Sequence, residues 1–172
     1  LYYEFKTITP IVDEQGEITH FVSTGKDVTK SKLAEETLRK NEERYRTVAD
    51  FTYDWETWIA PDGTYNYTSP SSERVTGYRP EEFEQNKKLL LTLIHPEDRE
   101  KAEQHFERHF TDKKARPVEF RIINRDGEER WVEHICQPVY GAKKTWLGRR
   151  ASNRDITERK RAEAMLEELN QI

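Results

Sequence analysis

The sequence predicts an α+β fold: an antiparallel sheet with its helices gathered on one face. Three observations carry this. From Phe51 to Arg154 the chain reads as two strands, several short helices, one longer helix, then three strands in a meander. Short turns at Pro61-Asp62-Gly63-Thr64 and Arg125-Asp126-Gly127 join strands into hairpins, so neighbours run antiparallel. Helices inserted between the two groups of strands must then cover one face of the sheet.

Composition sets the outer bounds. A chain of 172 residues has room for one domain with extensions. Charged residues make up 36% and apolar ones 34%, near the disordered range, but an aromatic content of 11% argues for a folded core. The 29 Lys and Arg against 33 Asp and Glu leave a net charge of −4, which gives no basis for a nucleic-acid partner. One cysteine excludes an intramolecular disulfide and suits a reducing compartment. No apolar run approaches a membrane span and no signal peptide is visible. The expectation is a cytoplasmic stretch with no membrane contact of its own, in a parent that could carry an anchor elsewhere.

The elements follow in order. Tyr2, Tyr3, Phe5, Thr7, Ile8, Ile11 and Val12 form one strand, Asp13-Glu14-Gln15-Gly16 a turn, and Ile18, Phe21 and Val22 a second strand. Two strands alone are marginal in water, so this hairpin needs another surface: the intact module, its own connecting helix or a partner chain. Lys30 to Val48 has no Gly or Pro and is rich in Ala, Glu, Leu, Arg and Lys, which predicts a helix. Ala34, Leu38, Asn41, Tyr45 and Val48 step by heptad spacing. A solvated linker helix and a two-helix coiled coil both fit; the narrow stripe on so polar a helix fits the coiled coil better. Phe51 to Ile59 reads as an aromatic strand and Tyr65 to Thr68 as its partner. Ser69-Pro70 reads as a helix cap, with Pro80 opening the next short helix. The run Leu89 to Ile94 is the most apolar. His95-Pro96-Glu97-Asp98 starts a helix reaching about Phe110, with Ala102, Phe106 and Phe110 on one stripe. From Pro117 to Asn124, Val118, Phe120 and Ile122 alternate with Glu119 and Arg121. Strands over Glu129–Tyr140 and about Thr145–Arg154 complete the sheet, and a second charged helix starts near Thr157.

Part of this is repeated. Pro10, Asp27, Thr29, Lys32, Ala34, Glu35 and Leu38 recur without gaps as Pro138, Asp155, Thr157, Lys160, Ala162, Glu163 and Leu166, at a fixed offset of 128. A fixed offset over that span marks a repeated module. The chain therefore divides into the end of one module (1–29), a connecting helix (30–48), a whole module (49–157) and the start of a second connecting helix (158–172). That second helix carries its own stripe, Ala162, Leu166 and Leu169, with Met165 as the alternative to Leu169.

Ordered motifs carry a family resemblance. They are Pro61-Asp62-Gly63, Ser69-Pro70-Ser71, Thr76-Gly77-Tyr78 with Glu81-Glu82-Phe83, Ile94-His95-Pro96-Glu97-Asp98, Arg125-Asp126-Gly127 with Arg130-Trp131-Val132, and Asp155-Ile156-Thr157. In this order and spacing the stretch from about Tyr45 to Lys160 resembles a PAS domain with its PAC tail. Residues 1–32 resemble the PAC tail of a preceding one. The resemblance implies a five-stranded antiparallel sheet with helices and a candidate ligand pocket on one face. It also implies a sensory or dimerisation module of a bacterial signalling protein, most often a histidine kinase and next a diguanylate cyclase. The implied partners are a second copy through the flanking helices, a downstream effector domain in the same chain, and a small-molecule ligand. A ligand-free structural spacer is the alternative.

Candidate site residues fall into two groups. Asp27, Thr29, Asp155 and Thr157 sit where a strand meets a helix, and read both as helix caps and as couplers between sheet and helix. Trp55, Tyr67, Phe83, Phe106, Phe120 and Ile122 read first as ordinary core and second as the walls of a pocket. Arg149 and Arg150 stand where the upstream copy has Phe21 and Val22, so one of the two should point inward and need an anion or a carboxylate. No nucleophile–base pair and no metal-ligand spacing is legible, so the stretch reads as non-catalytic with no metal site. Cys136 reads as a small apolar filler, since the helical Gly-x-Asn-Cys-Arg-Phe-Leu-Gln motif that flavin photosensors of the PAS family carry is missing. Haem is not expected either: Ala102 stands at the position matching the ligand of haem-binding relatives, and His105 and His109 read as a solvated pair.

Overall fold

The computed structural model describes residues 1–108 and 117–170. Two compact units make it up, Leu1–Thr47 and Val48–Ile172. His109 and Phe110 lie outside the described residues, so the pairing of His105 with His109 and the last step of the expected stripe do too.

The first unit is a hairpin followed by a helix. Strand β1 (Glu4–Val12) pairs antiparallel with β2 (Ile18–Asp27), placing Pro10 opposite Phe21. Asp13 closes the turn by accepting from Gln15 N at 3.0 Å and Glu17 N at 2.9 Å. Phe5, Ile8, Ile11, Ile18, Phe21 and Val22 are all exposed. Helix α1 (Thr29–Asp50) leaves the hairpin, one or two residues longer at each end than the sequence indicated. Its stripe is open to solvent, with Leu38 at 68%, Tyr45 at 74% and Val48 at 68% exposure, and Ala34 and Asn41 exposed beside them. No described helix is long and apolar enough to cross a membrane.

The second unit holds a five-stranded antiparallel sheet in the order β4-β3-β7-β6-β5. Its strands are β3 (Trp55–Ile59), β4 (Tyr65–Thr68), β5 (Pro117–Ile123), β6 (Glu129–Tyr140) and β7 (Trp146–Asp155). The last strand thus enters the middle, between β3 and β6. Between β4 and β5 come α2 (Ser71–Thr76), α3 (Pro80–Gln85), α4 (Leu89–Leu93), a 3-10 turn at Pro96–Asp98 and α5 (Arg99–Arg108); α6 (Thr157–Leu169) follows β7. Trp55, Val75, Phe83, Ile94, Phe120 and Ile122 form the dry centre between sheet and helices. Trp55 and Phe83 meet in a tilted pair with ring centres 5.1 Å apart, a favoured aromatic separation.

Three local expectations need correction. The aromatic strand starts at Trp55 and not at Phe51. Thr52 Oγ1 donates to Ala49 O (2.9 Å) and to Asp54 O (3.2 Å), bending the chain, and Phe51 and Tyr53 remain exposed. Ser69 does not cap α2: its hydroxyl accepts from Glu56 N at 2.8 Å, tying β3 to the start of the helix region. Tyr67, expected in the pocket wall, does not share the inward face of Tyr65. A bulge pairs Tyr67 with Trp58 and Tyr65 with Ile59, so the two tyrosines, two apart in sequence, end on opposite sides.

Candidate functional site

A cavity of about 270 Å³ lies between the sheet and the helices. Apolar walls come from Ile59, Tyr65, Leu90, Leu91 and Phe106, and polar groups from Lys87, His134, Cys136 and Arg149. Of the eight residues named from sequence as pocket walls, Phe106 and Arg149 line it. Trp55, Phe83, Phe120 and Ile122 are completely buried and form the core instead. Tyr67 turns away and donates its hydroxyl to Asp50 Oδ1 at 2.9 Å. Arg150 points to the other face and meets Glu56 at 3.3 Å. The substitution that distinguishes this copy from the upstream one therefore puts one guanidinium into the pocket. Arg149 is 8% exposed.

Three of these polar groups, His134, Cys136 and Arg149, form one cluster with His105. Arg149 donates from one terminal nitrogen towards Cys136 O and Sγ, each at 3.4 Å. His105 Nε2 lies 3.7 Å from the same sulfur. His134 Nδ1 is 2.7 Å from Asn153 Oδ1, and Asn153 Nδ2 donates to Trp55 O at 2.9 Å. The second bond orients the amide, so its oxygen faces the imidazole. His134 Nδ1 therefore carries the hydrogen and Nε2 the lone pair. Burial pushes the His134 pKa down to about 4, and the Asn153 hydrogen bond only partly opposes this, so the ring is neutral at physiological pH. Cys136 is not a mere filler, since a cation and an imidazole both meet its sulfur. His105 is not a fully solvated residue: it is half-buried, edge-on to His134 at 5.4 Å. Sequence reasoning missed this set. Two of its members are alternate residues of one strand and share a face, a signal that was present at His134 and Cys136. The third arrives from α5, which no spacing announces.

The second candidate site is the strand-to-helix junction, which the fold builds twice. Trp131 N donates to Thr157 Oγ1 at 3.0 Å, and Ile156 N to Trp131 O at 2.9 Å. In the first unit Tyr3 N donates to Thr29 Oγ1 at 2.9 Å, and Val28 N to Tyr3 O at 2.9 Å. Asp155 Oδ1 accepts from Thr157 N, and Asp27 Oδ1 from Thr29 N, both at 2.9 Å. The hydrogen bonds of Thr29 hold the Asp27 carboxyl below its ordinary range. Each aspartate thus fixes the turn, while each threonine clips the helix start to the neighbouring strand. Tyr3 and Trp131 belong to the same repeat but differ in residue type, so identity along the sequence does not reveal them. In the second copy, Arg130 reaches Asp155 at 3.3 Å, and Lys160 lies 5.2 Å over the Trp131 ring. Lys160 also pairs with Glu119 at 2.6 Å, the chief reason the Glu119 carboxyl titrates low.

Residues 65–148 match the family of the PAS fold, and the unit that contains them is a PAS domain. Over 168 residues, 91% of this chain, the sequence is 33% identical to the blue-light-activated histidine kinase of Brucella anthropi. The chain spans about a third of that relative's length (33%). Among solved structures, a sensory box histidine kinase/response regulator from Burkholderia thailandensis superposes with a TM-score of 0.56 at 24% identity. That match covers 75% of this chain and 99% of the other. The N-terminal domain of a diguanylate cyclase with PAS/PAC sensor from Marinobacter aquaeolei gives a TM-score of 0.56 at 18% identity, over 62% of this chain and 98% of that one.

Proposed function

We propose that this chain is a non-catalytic sensory and dimerisation module of a bacterial histidine kinase, lying in the cytoplasm and passing its signal through the flanking helices to an effector domain of the same parent. The observation that carries the reading is the duplicated junction. The same hydrogen bonds clip α1 to Tyr3, just before β1, and α6 to β6. Between Asp155 and α6 there is one residue, Ile156. So short a link transmits a displacement of the last strand to the helix. The exposed stripes, Ala34, Leu38, Asn41, Tyr45 and Val48 on α1 and Ala162, Leu166 and Leu169 on α6, are what a second copy would cover. Coiled-coil interfaces of this kind have discrete packings, so a moved strand selects one of them. The kinase relative supports the choice of effector. The pocket, with Arg149 in its wall, supports a small-molecule ligand.

Neither haem nor flavin belongs to this reading. Cys136 lies on a strand against Arg149 and His105, where the helical photosensor motif has no counterpart, and Ala102 occupies the haem-ligand position. The purified protein should be colourless, and a haem or flavin absorption band would overturn this part.

The test of the coupling is Asp155→Ala in the full-length parent. The fold should survive with a loss of about 1 kcal/mol, while autophosphorylation stops responding to input. An unchanged response, with the protein folded, overturns the mechanism. Leu38→Glu should weaken dimerisation in sedimentation, and a wild type that stays monomeric at high concentration overturns the dimer.

A further inference from the structure

The ligand set beside the cavity is chemically specific, and it goes beyond the sensory reading without depending on it. His105, His134 and Cys136 each offer one ligand atom, and these atoms lie within 4.8 Å of one another. We propose that His105, His134 and Cys136 form a binding site for a borderline-soft divalent transition metal of the zinc class, with its fourth position open to the cavity. Two imidazoles and a thiolate suit such an ion, while calcium or magnesium would require oxygen ligands. In a tetrahedral zinc site the nitrogen and sulfur ligand atoms stand about 3.5 Å apart. His105 Nε2 and Cys136 Sγ already stand at 3.7 Å.

The surroundings are those that a metal site needs. A ligating histidine normally donates its other ring N–H to an acceptor, which fixes tautomer and orientation. His134 has this arrangement through Nδ1 and Asn153 Oδ1 at 2.7 Å, with Asn153 anchored in turn on Trp55 O. Phe106 holds the ring edge-on at 5.2 Å. Cys136 must bind as thiolate, and the Arg149 guanidinium 3.4 Å from its sulfur favours that form. His134, Cys136 and Arg149 also line the cavity, so the fourth coordination position faces it. The fourth ligand is a water or a small molecule that enters from the cavity.

The experiment is a titration of the chelator-stripped full chain with cobalt(II), followed by zinc competition. One cobalt per chain should bind, with ligand-field bands of tetrahedral intensity and a near-ultraviolet thiolate-to-cobalt charge-transfer band; zinc should remove both. Cys136→Ser should abolish the charge-transfer band, and His105→Ala should weaken affinity by at least about tenfold. Circular dichroism monitors the fold of each variant. His105 is half-buried, so His105→Ala keeps the test valid if Cys136→Ser fails to fold. Absence of saturable binding, a charge-transfer band that survives Cys136→Ser, or unchanged affinity in folded His105→Ala overturns the proposal.

Discussion

Asp98 shows how one side chain locks the helix region to the sheet. Its Oδ2 accepts from Arg121 N (2.7 Å) and Nε (2.9 Å), and its Oδ1 from a terminal nitrogen of Arg121 (2.8 Å). The Arg121 side chain is the chief cause of the low Asp98 pKa, and burial only partly opposes it. Such a group binds its proton more readily in the unfolded chain. The stability it supplies is therefore present above the unfolded value of 3.8 and is lost as pH falls through the lower folded value. Asp98→Asn should lower stability by about 2 kcal/mol at neutral pH. The gap from wild type should shrink as pH falls below about 4. A gap that stays constant in urea melts down to pH 2.5 or so would show that the carboxylate is not the cause. Gly148 is a second single-residue lock, with φ of +103° and a Cβ position 2.0 Å from Ile59 O. Gly148→Ala should separate β3 from β7 at the cavity mouth and lower the melting midpoint sharply; a wild-type midpoint would refute the contact. At this scale the sequence was least informative. That one of Arg149 and Arg150 points inward was legible, because the upstream copy has apolar Phe21 and Val22 there; which of the two was not. The destination of Cys136 and His105 depends on packing between α5 and β6, and local sequence holds no record of that.

At the scale of elements the sequence was most informative. The alternation of Val118, Phe120 and Ile122 with Glu119 and Arg121 appears in the burial of β5 as written. The turn residues placed the hairpins at Asp13–Gly16, Pro61–Thr64 and Arg125–Gly127. The bulge in β4 was illegible: Asn66 is an ordinary strand residue between two tyrosines, and only the partner strand decides which tyrosine turns inward. The start of α6 makes a separate prediction. Thr157 Oγ1 accepts the Trp131 N–H while its own N–H goes to Asp155. Thr157→Val keeps the shape and removes the acceptor, leaving a half-buried N–H unpaired at about 1–2 kcal/mol. The expected result is faster hydrogen exchange at Trp131 and in the first turn of α6, with β3 and β5 unchanged. Uniform acceleration through the sheet would mean that Thr157 supports the whole fold and does not act as a hinge.

For the whole molecule, the two units differ in how they are held together. The PAS domain buries Trp55, Phe83, Phe120 and Ile122 completely and has a core of its own. The hairpin β1–β2 buries none of its residues: Phe5 and Phe21 are each 65% exposed, and Ile8 is 61% exposed. A two-stranded sheet of that kind is marginal in water. Burying apolar surface is worth about 25 cal/mol per Å², so covering several such side chains adds a few kcal/mol. In a dimer formed along α1, that cover is a second copy, and it depends on concentration. Hydrogen exchange across dilutions should therefore separate the units. Amides of β1, β2 and α1 should become more protected as concentration rises, while those of β3, β6 and β7 should keep the same protection throughout. Leu38→Glu should remove the concentration dependence from the first group and leave the second untouched. Should β1 and β2 exchange as fast as an unfolded peptide at the highest concentration, a partner copy does not cover the hairpin and the dimer along α1 is wrong.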